Sequence, residues 1–175
     1  MTERKAALCI SDAIDRFYPN LLLAMGWSQV DMLILDVIRQ MHLSPRIKLY
    51  CMNQELEEDY LEFVQKVTDK YDPIEFYNWS KDPLEGPKAF GFEAVLVGGT
   101  GGLWGHQVCW MNDVAWISPF IDWSDEQVSD AAQKRNLLAH PQSEGLESVF
   151  VKRLFEQIEH DDQVTTDWLR GLGYW

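Results

Sequence analysis

Two glycine-bearing turns hold the residues best placed to do chemistry. The first, Gly26-Trp27-Ser28-Gln29-Val30-Asp31, follows an apolar run from Leu21 to Met25 and opens into a second apolar stretch. Between a strand and a helix, small residues let several backbone N–H groups and the helix N-terminus converge on an anion. Gly26, Ser28 and Gln29 are the candidate contacts for such a ligand. The same six residues also carry the marks of an ordinary helix start. Trp27 is bulky, Gln29 brings no charge, and Asp31 sets a negative charge in the first helical turn. Ser28 then serves as N-cap and Asp31 as its acidic partner three positions on. Capping is the preferred reading, since a cap alone stabilises a helix by ~1 kcal/mol.

The second turn is Gly98-Gly99-Thr100-Gly101, continued by Gly102 and Gly105. Its N–H groups suit an anion nest, and Trp104, Trp110 and Trp123 suit stacking on a base. The alternative is that the glycines let a loop pack tightly against the end of a sheet. His106 and Cys109 form an isolated His-x-x-Cys, two ligands where a closed zinc site needs four, so no metal is expected. Cys9, Cys51 and Cys109 lie far apart with no Cys-x-x-Cys pair, which points to neither a disulfide framework nor a zinc ribbon. No cofactor is called for.

The elements that position these turns follow from hydrophobic spacing. Ala7, Ile10, Ile14 and Phe17 recur at helical intervals and stop before Pro19. Leu21 to Met25 is a continuous apolar run, as in a parallel strand covered on both faces. A largely buried helix is predicted over roughly Gln29 to Met41, a strand over Ile47 to Met52, a helix through Leu56, Tyr60, Phe63, Val64 and Val67, and a strand over Ile74 to Tyr77. Strands alternating with helices through short connections give a parallel sheet with right-handed crossovers. Trp79 to Gly91 reads as a loop of about a dozen residues. A strand resumes at Glu93 to Val97, and the chain then reads as irregular until Ala115 to Ile121. Ser124 with Gln127 forms a capping box before a helix of roughly Asp125 to Arg135, and a last amphipathic helix is expected from Leu146 to Ile158.

Three segments stand in a known order: PNLLLAMGWSQVDMLILDVI, then IKLYCMNQELEEDYLEFVQKV, then FEAVLVGGTGGLWG followed by ISPFIDWSDEQV. Together they resemble the phosphoadenosine phosphosulfate (PAPS) reductase family, with its adenine nucleotide alpha-hydrolase-like fold. In that family an apolar strand runs into an SGGKDS loop, a later strand runs into a G-x-R-type loop, and a Pro…(D)W-(S/T)-x-x-(D/E)-V segment starts a helix. Pro119, Asp122, Trp123, Ser124 and Val128 match the last element. The resemblance spans Asn20 to about Asn136 and implies a three-layer α/β/α fold with a mostly parallel sheet, HUP or Rossmann-like. The chain is expected to form one such domain over residues 1–175, with 145–175 a helical C-terminal extension and aromatic tail.

The departures bear on function. None of the six SGGKDS residues is matched in register. Thr100 stands nearest the family's arginine, and no Lys or Arg occurs between Lys88 and Lys134. No cysteine follows Cys109, so the family's C-terminal thiol is missing. The resemblance therefore implies a degenerate, catalytically inactive site, with Gly26, Ser28, Gln29, Gly98, Gly99, Thr100, Gly101 and Trp123 vestigial ligand contacts. The alternative is an adenine-nucleotide-binding enzyme or sensor, of sulfonucleotide reductase or sulfurtransferase type, with a diverged phosphate loop.

Composition narrows the partner. A formal charge of −13 and eight Trp, six Tyr and eight Phe argue against nucleic acid, whose phosphates are bound by Lys and Arg, and supply contact area for proteins. The expected role is a protein-interaction or structural module, in a viral particle or other assembly, bound to a protein partner or to its own copies. The tail DWLRGLGYW offers Trp168, Tyr174 and Trp175 as contacts. No apolar run reaches the ~18 residues of a membrane span, and the N-terminal segment is charged rather than signal-like, so a cytoplasmic location is expected.

Overall fold

A computed structural model describes residues 3–43, 47–52, 58–71, 75–79, 84–100 and 107–138. Gly101, Gly102, Trp104, Gly105 and His106, the helix expected at Leu146 to Ile158, and Trp168, Tyr174 and Trp175 lie outside the described residues.

The elements run α1 (Glu3–Phe17), β1 (Leu21–Met25), α2 (Gln29–Gln40), β2 (Lys48–Met52), α3 (Glu58–Tyr71), β3 (Glu75–Trp79), α4 (Glu85–Ala89), β4 (Ala94–Leu96), β5 (Val108–Met111), β6 (Val114–Ile117) and α5 (Asp125–Lys134). Six strands form one sheet in the order β3-β2-β1-β4-β6-β5. All neighbours are parallel except β5, which pairs antiparallel with β6. The fold is a three-layer α/β/α arrangement with a largely parallel sheet.

Strand alternation divides the core into two faces. Leu21, Leu23 and Met25 join one cluster with Ile10 and Ile14 of α1, Leu33 and Val37 of α2, Phe63 and Val67 of α3, and Val128 of α5. Leu22, Ala24, Tyr50, Val95 and Trp116 point the other way, with Leu84 and Phe92 flanking α4. Every residue of α2 from Val30 to Ile38 is buried, which is why its sequence is apolar nearly all round.

Two stretches that the sequence presents as irregular each contain a regular element. The Trp79 to Gly91 loop contains α4, a helix of five residues that includes Gly86 and Pro87, poor helix formers that hid it. The irregular stretch before Ala115 contains β5, joined to β6 through Asn112 and Asp113, whose φ of 51° and 60° mark a tight two-residue turn. Asn-Asp is a weaker turn signal than Asn-Gly, and the strand has only four residues.

Candidate functional site

The order in which strands are added reverses at β1: β2 and β3 extend the sheet on one side of β1, and β4 begins the other, parallel to it. In open α/β sheets ligands bind at such a switch point, outside the strand C-termini. The turns after β1 and β4 meet there, so the topology brings Gly26, Ser28 and Gly98 into one crevice.

Asp31 fills it. Its carboxylate Oδ2 accepts the Gly26 N–H at 2.9 Å and the Ser28 N–H at 3.3 Å. The Ser28 hydroxyl in turn accepts the Asp31 N–H at 3.2 Å, completing a capping box. Asp31 is 0% exposed. The N–H groups that a phosphate loop turns toward its ligand are here turned toward a carboxylate of the same chain. Gly98 closes the other side: a Cβ there would strike Asp31 Oδ1 and stand 2.7 Å from Val30 Cγ1. At position 98 glycine is required by packing against Asp31. Gly99 and Thr100 are buried beside it.

Trp27 sits between the two donors with φ of 62°, in the left-handed region that favours glycine. Its indole is buried and meets Phe63 of α3 edge to face at 5.4 Å. Burial of the ring offsets a backbone cost on the order of 1 kcal/mol. Its bulk is thus spent in the core beneath α3.

The remaining expected contacts scatter. Gln29 is partly buried and lines a cleft of about 290 Å³ with Ala132, Gln133, Asn136, Leu137 and Leu138, and its Oε1 is buried with no hydrogen-bond partner among the described residues. Trp123 packs edge to face on Phe120 at 4.8 Å and lines a separate cleft of about 270 Å³ with Glu3, Gln127, Asp130 and Arg135. It does not join the glycine turns in lining that cleft. The capping box of Ser124 and Gln127 is present and begins α5.

A charged network escaped the sequence reading. Asp36, 3% exposed in the middle of α2, accepts Arg135 Nη1 at 2.6 Å, the Tyr71 hydroxyl at 3.3 Å and the Gln40 amide at 3.3 Å. Arg135 also pairs with Glu3. Burial, then the neighbouring Asp36 carboxylate, pushes the Tyr71 hydroxyl well above its ordinary range. The signal was an aspartate inside an otherwise apolar helix. Arg135, which follows the long cation-free stretch, is thereby committed to holding α5 against α1 and α2.

The Cys51 thiol, at the C-terminal end of β2, is pushed up to about 12 by burial and then by the Asp31 charge. Cys9 is pushed up to about 11, chiefly by burial. Both stay protonated at neutral pH, and a thiol is not the nucleophile. Among the described residues no three His, Cys, Asp or Glu side chains gather as metal ligands.

The same architecture occurs in solved structures. A phosphoadenylyl-sulfate (PAPS) reductase from Candida auris, in complex with phosphate, superposes with a TM-score of 0.63 at 19% identity, covering 79% of this chain and 83% of that one. The chain has a PAPS reductase fold. A U34-tRNA thiolase from Methanococcus maripaludis matches with a TM-score of 0.55 at 12% identity over 98% of this chain and 77% of that one. An NMN synthetase from Francisella tularensis gives 0.55 at 7% identity over 98% and 91%. No protein-family model matches the sequence, and no curated protein matches it.

Proposed function

We propose that this protein is a non-catalytic user of the PAPS reductase fold, a structural or protein-interaction module whose inherited anion crevice has been closed from within. The observation that carries this reading is the Asp31 carboxylate, buried and bonded to the Gly26 and Ser28 N–H groups at 2.9 and 3.3 Å. A phosphate arriving at the same place would displace one anion with another, and the Arg135 guanidinium is already engaged by Asp36 and Glu3. Charge-assisted hydrogen bonds contribute ~1.5–3 kcal/mol each, so a multiply charged nucleotide loses most of what would hold it. Thiol chemistry is equally unsupported, since Cys51 is buried and protonated and Cys109 is 1% exposed.

A thermal-shift panel with ATP, AMP, adenosine phosphosulfate and PAPS tests this. A ligand at a hundred times its dissociation constant adds ~2.7 kcal/mol of stability, a rise of several degrees for a chain of this size. The expected result is no shift with any of the four. Stabilisation by any one of them overturns the reading in favour of a nucleotide-binding enzyme or sensor.

A further inference from the structure

We propose that β5 is an edge for self-association: two copies pair their Val108–Met111 strands antiparallel about a twofold axis at Trp110, fusing two sheets into one. The proposal rests on the interaction-module reading and names its surface and partner. Among the described residues β5 is the last strand of the sheet, bonded to β6 on one side. Exposed edges are normally blunted by lysine, proline, a bulge or an inward charge. Val108-Cys109-Trp110-Met111 contains no charge and no proline, and its register with β6 runs unbroken from Val108↔Ile117 to Met111↔Val114. Cys109 and Met111 are buried on one face, while Val108 and Trp110 are 43% and 53% exposed on the other. An apolar edge in unbroken register, carrying an exposed indole, is the kind of surface a further strand would cover.

Charge selects a second copy. At a formal −13 two copies repel across most of their surfaces. The segment from Val108 to Ile121 carries one charged residue, Asp113, already paired with Lys88 at 2.7 Å. At this edge two like-charged molecules approach at low electrostatic cost, whereas a basic partner would be drawn to acidic surface. Strand parity then sets the register. A twofold perpendicular to the sheet keeps each face on its own side, and directly opposed residues of an antiparallel ladder share a face. Trp110 therefore faces its own copy, Cys109 faces Met111, and Val108 faces Asn112. The two exposed indoles cover each other, and the buried row of Cys109 and Met111 continues across the joint. The shortness of the strand makes this a concentration-dependent equilibrium.

Sedimentation equilibrium of the full chain over a concentration series is expected to show a reversible dimer. Trp110→Lys is expected to shift it to monomer with the circular dichroism retained, and with the melting temperature of the dilute, monomeric parent chain, since the side chain is exposed. In a Cys9→Ser background, Trp110→Cys copies should cross-link readily on oxidation, because opposed residues lie ~4.5–5.5 Å apart at Cα, within disulfide range. Val108→Cys copies, displaced by four residues along the joint, should not. A monomer at every concentration, a dimer indifferent to Trp110→Lys, or equal cross-linking at both positions overturns the proposal. A nucleotide-induced thermal shift would instead overturn the non-catalytic reading, so the two failures are distinguishable.

Discussion

Replacing Asp31 by alanine tests whether its carboxylate stands where a ligand anion otherwise would. The substitution removes the acceptor for the Gly26 and Ser28 N–H groups at 2.9 and 3.3 Å and leaves both donors facing a small buried void. Hydrogen bonds to a charged group are worth ~1.5–3 kcal/mol, the longer one here at the low end, so together they put the loss at about 3–4 kcal/mol. At ~2–4 °C per kcal/mol for this size, the melting temperature should fall by roughly 6–16 °C. Urea unfolding gives the free energy directly. Inorganic phosphate at ten times its half-saturating concentration should return ~1.4 kcal/mol to Asp31→Ala and nothing to the unsubstituted chain. Asp31→Asn, which keeps an acceptor oxygen but loses the charge, should fall between the two. A loss below ~1 kcal/mol for Asp31→Ala, or equal phosphate stabilisation of both chains, refutes the reasoning.

Gly98→Ala should destabilise by ~1–3 kcal/mol through overpacking, since the added Cβ meets Asp31 Oδ1 and Val30 Cγ1; part of that loss should vanish in the Asp31→Ala background, which a double-mutant cycle in urea reads. Arg135→Met should cost about 3 kcal/mol by leaving Asp36 buried with only the weaker Tyr71 and Gln40 donors, and adding Asp36→Asn should recover a measurable share. Because the folded Cys51 thiol is pushed up to about 12 against ~8.5 for a free thiol, its contribution is intact below that lower value and is lost as pH climbs through the folded one. Urea midpoints should therefore fall over that alkaline range, and Cys51→Ala should flatten the fall.

Local chemistry carried much of the site in plain view. Ser28 followed by Asp31, and Ser124 followed by Gln127, sit at cap spacing, and both boxes form because the bonds they make span three residues. The apolar runs of β1 and α2 were legible for a similar reason, as burial on all sides leaves no polar face to blur the pattern. The short elements were not legible. α4 holds a glycine and a proline, and β5 is fixed by pairing with β6 rather than by its own four residues.

The sequence by itself determined that the turn after β1 lacks a phosphate loop's lysine and glycine pair and that a helix begins at Ser28. Only the tertiary structure decided what became of the crevice. The Asp31 carboxylate reaches back across five residues to Gly26 N, and Gly98, distant in sequence, comes against it only because β4 pairs beside β1. Likewise Arg135 meets Asp36 and Glu3 from 99 and 132 residues away. Contacts of that separation depend on the order of strands in the sheet, and strand order is set by the packing of the whole chain, which no local spacing encodes.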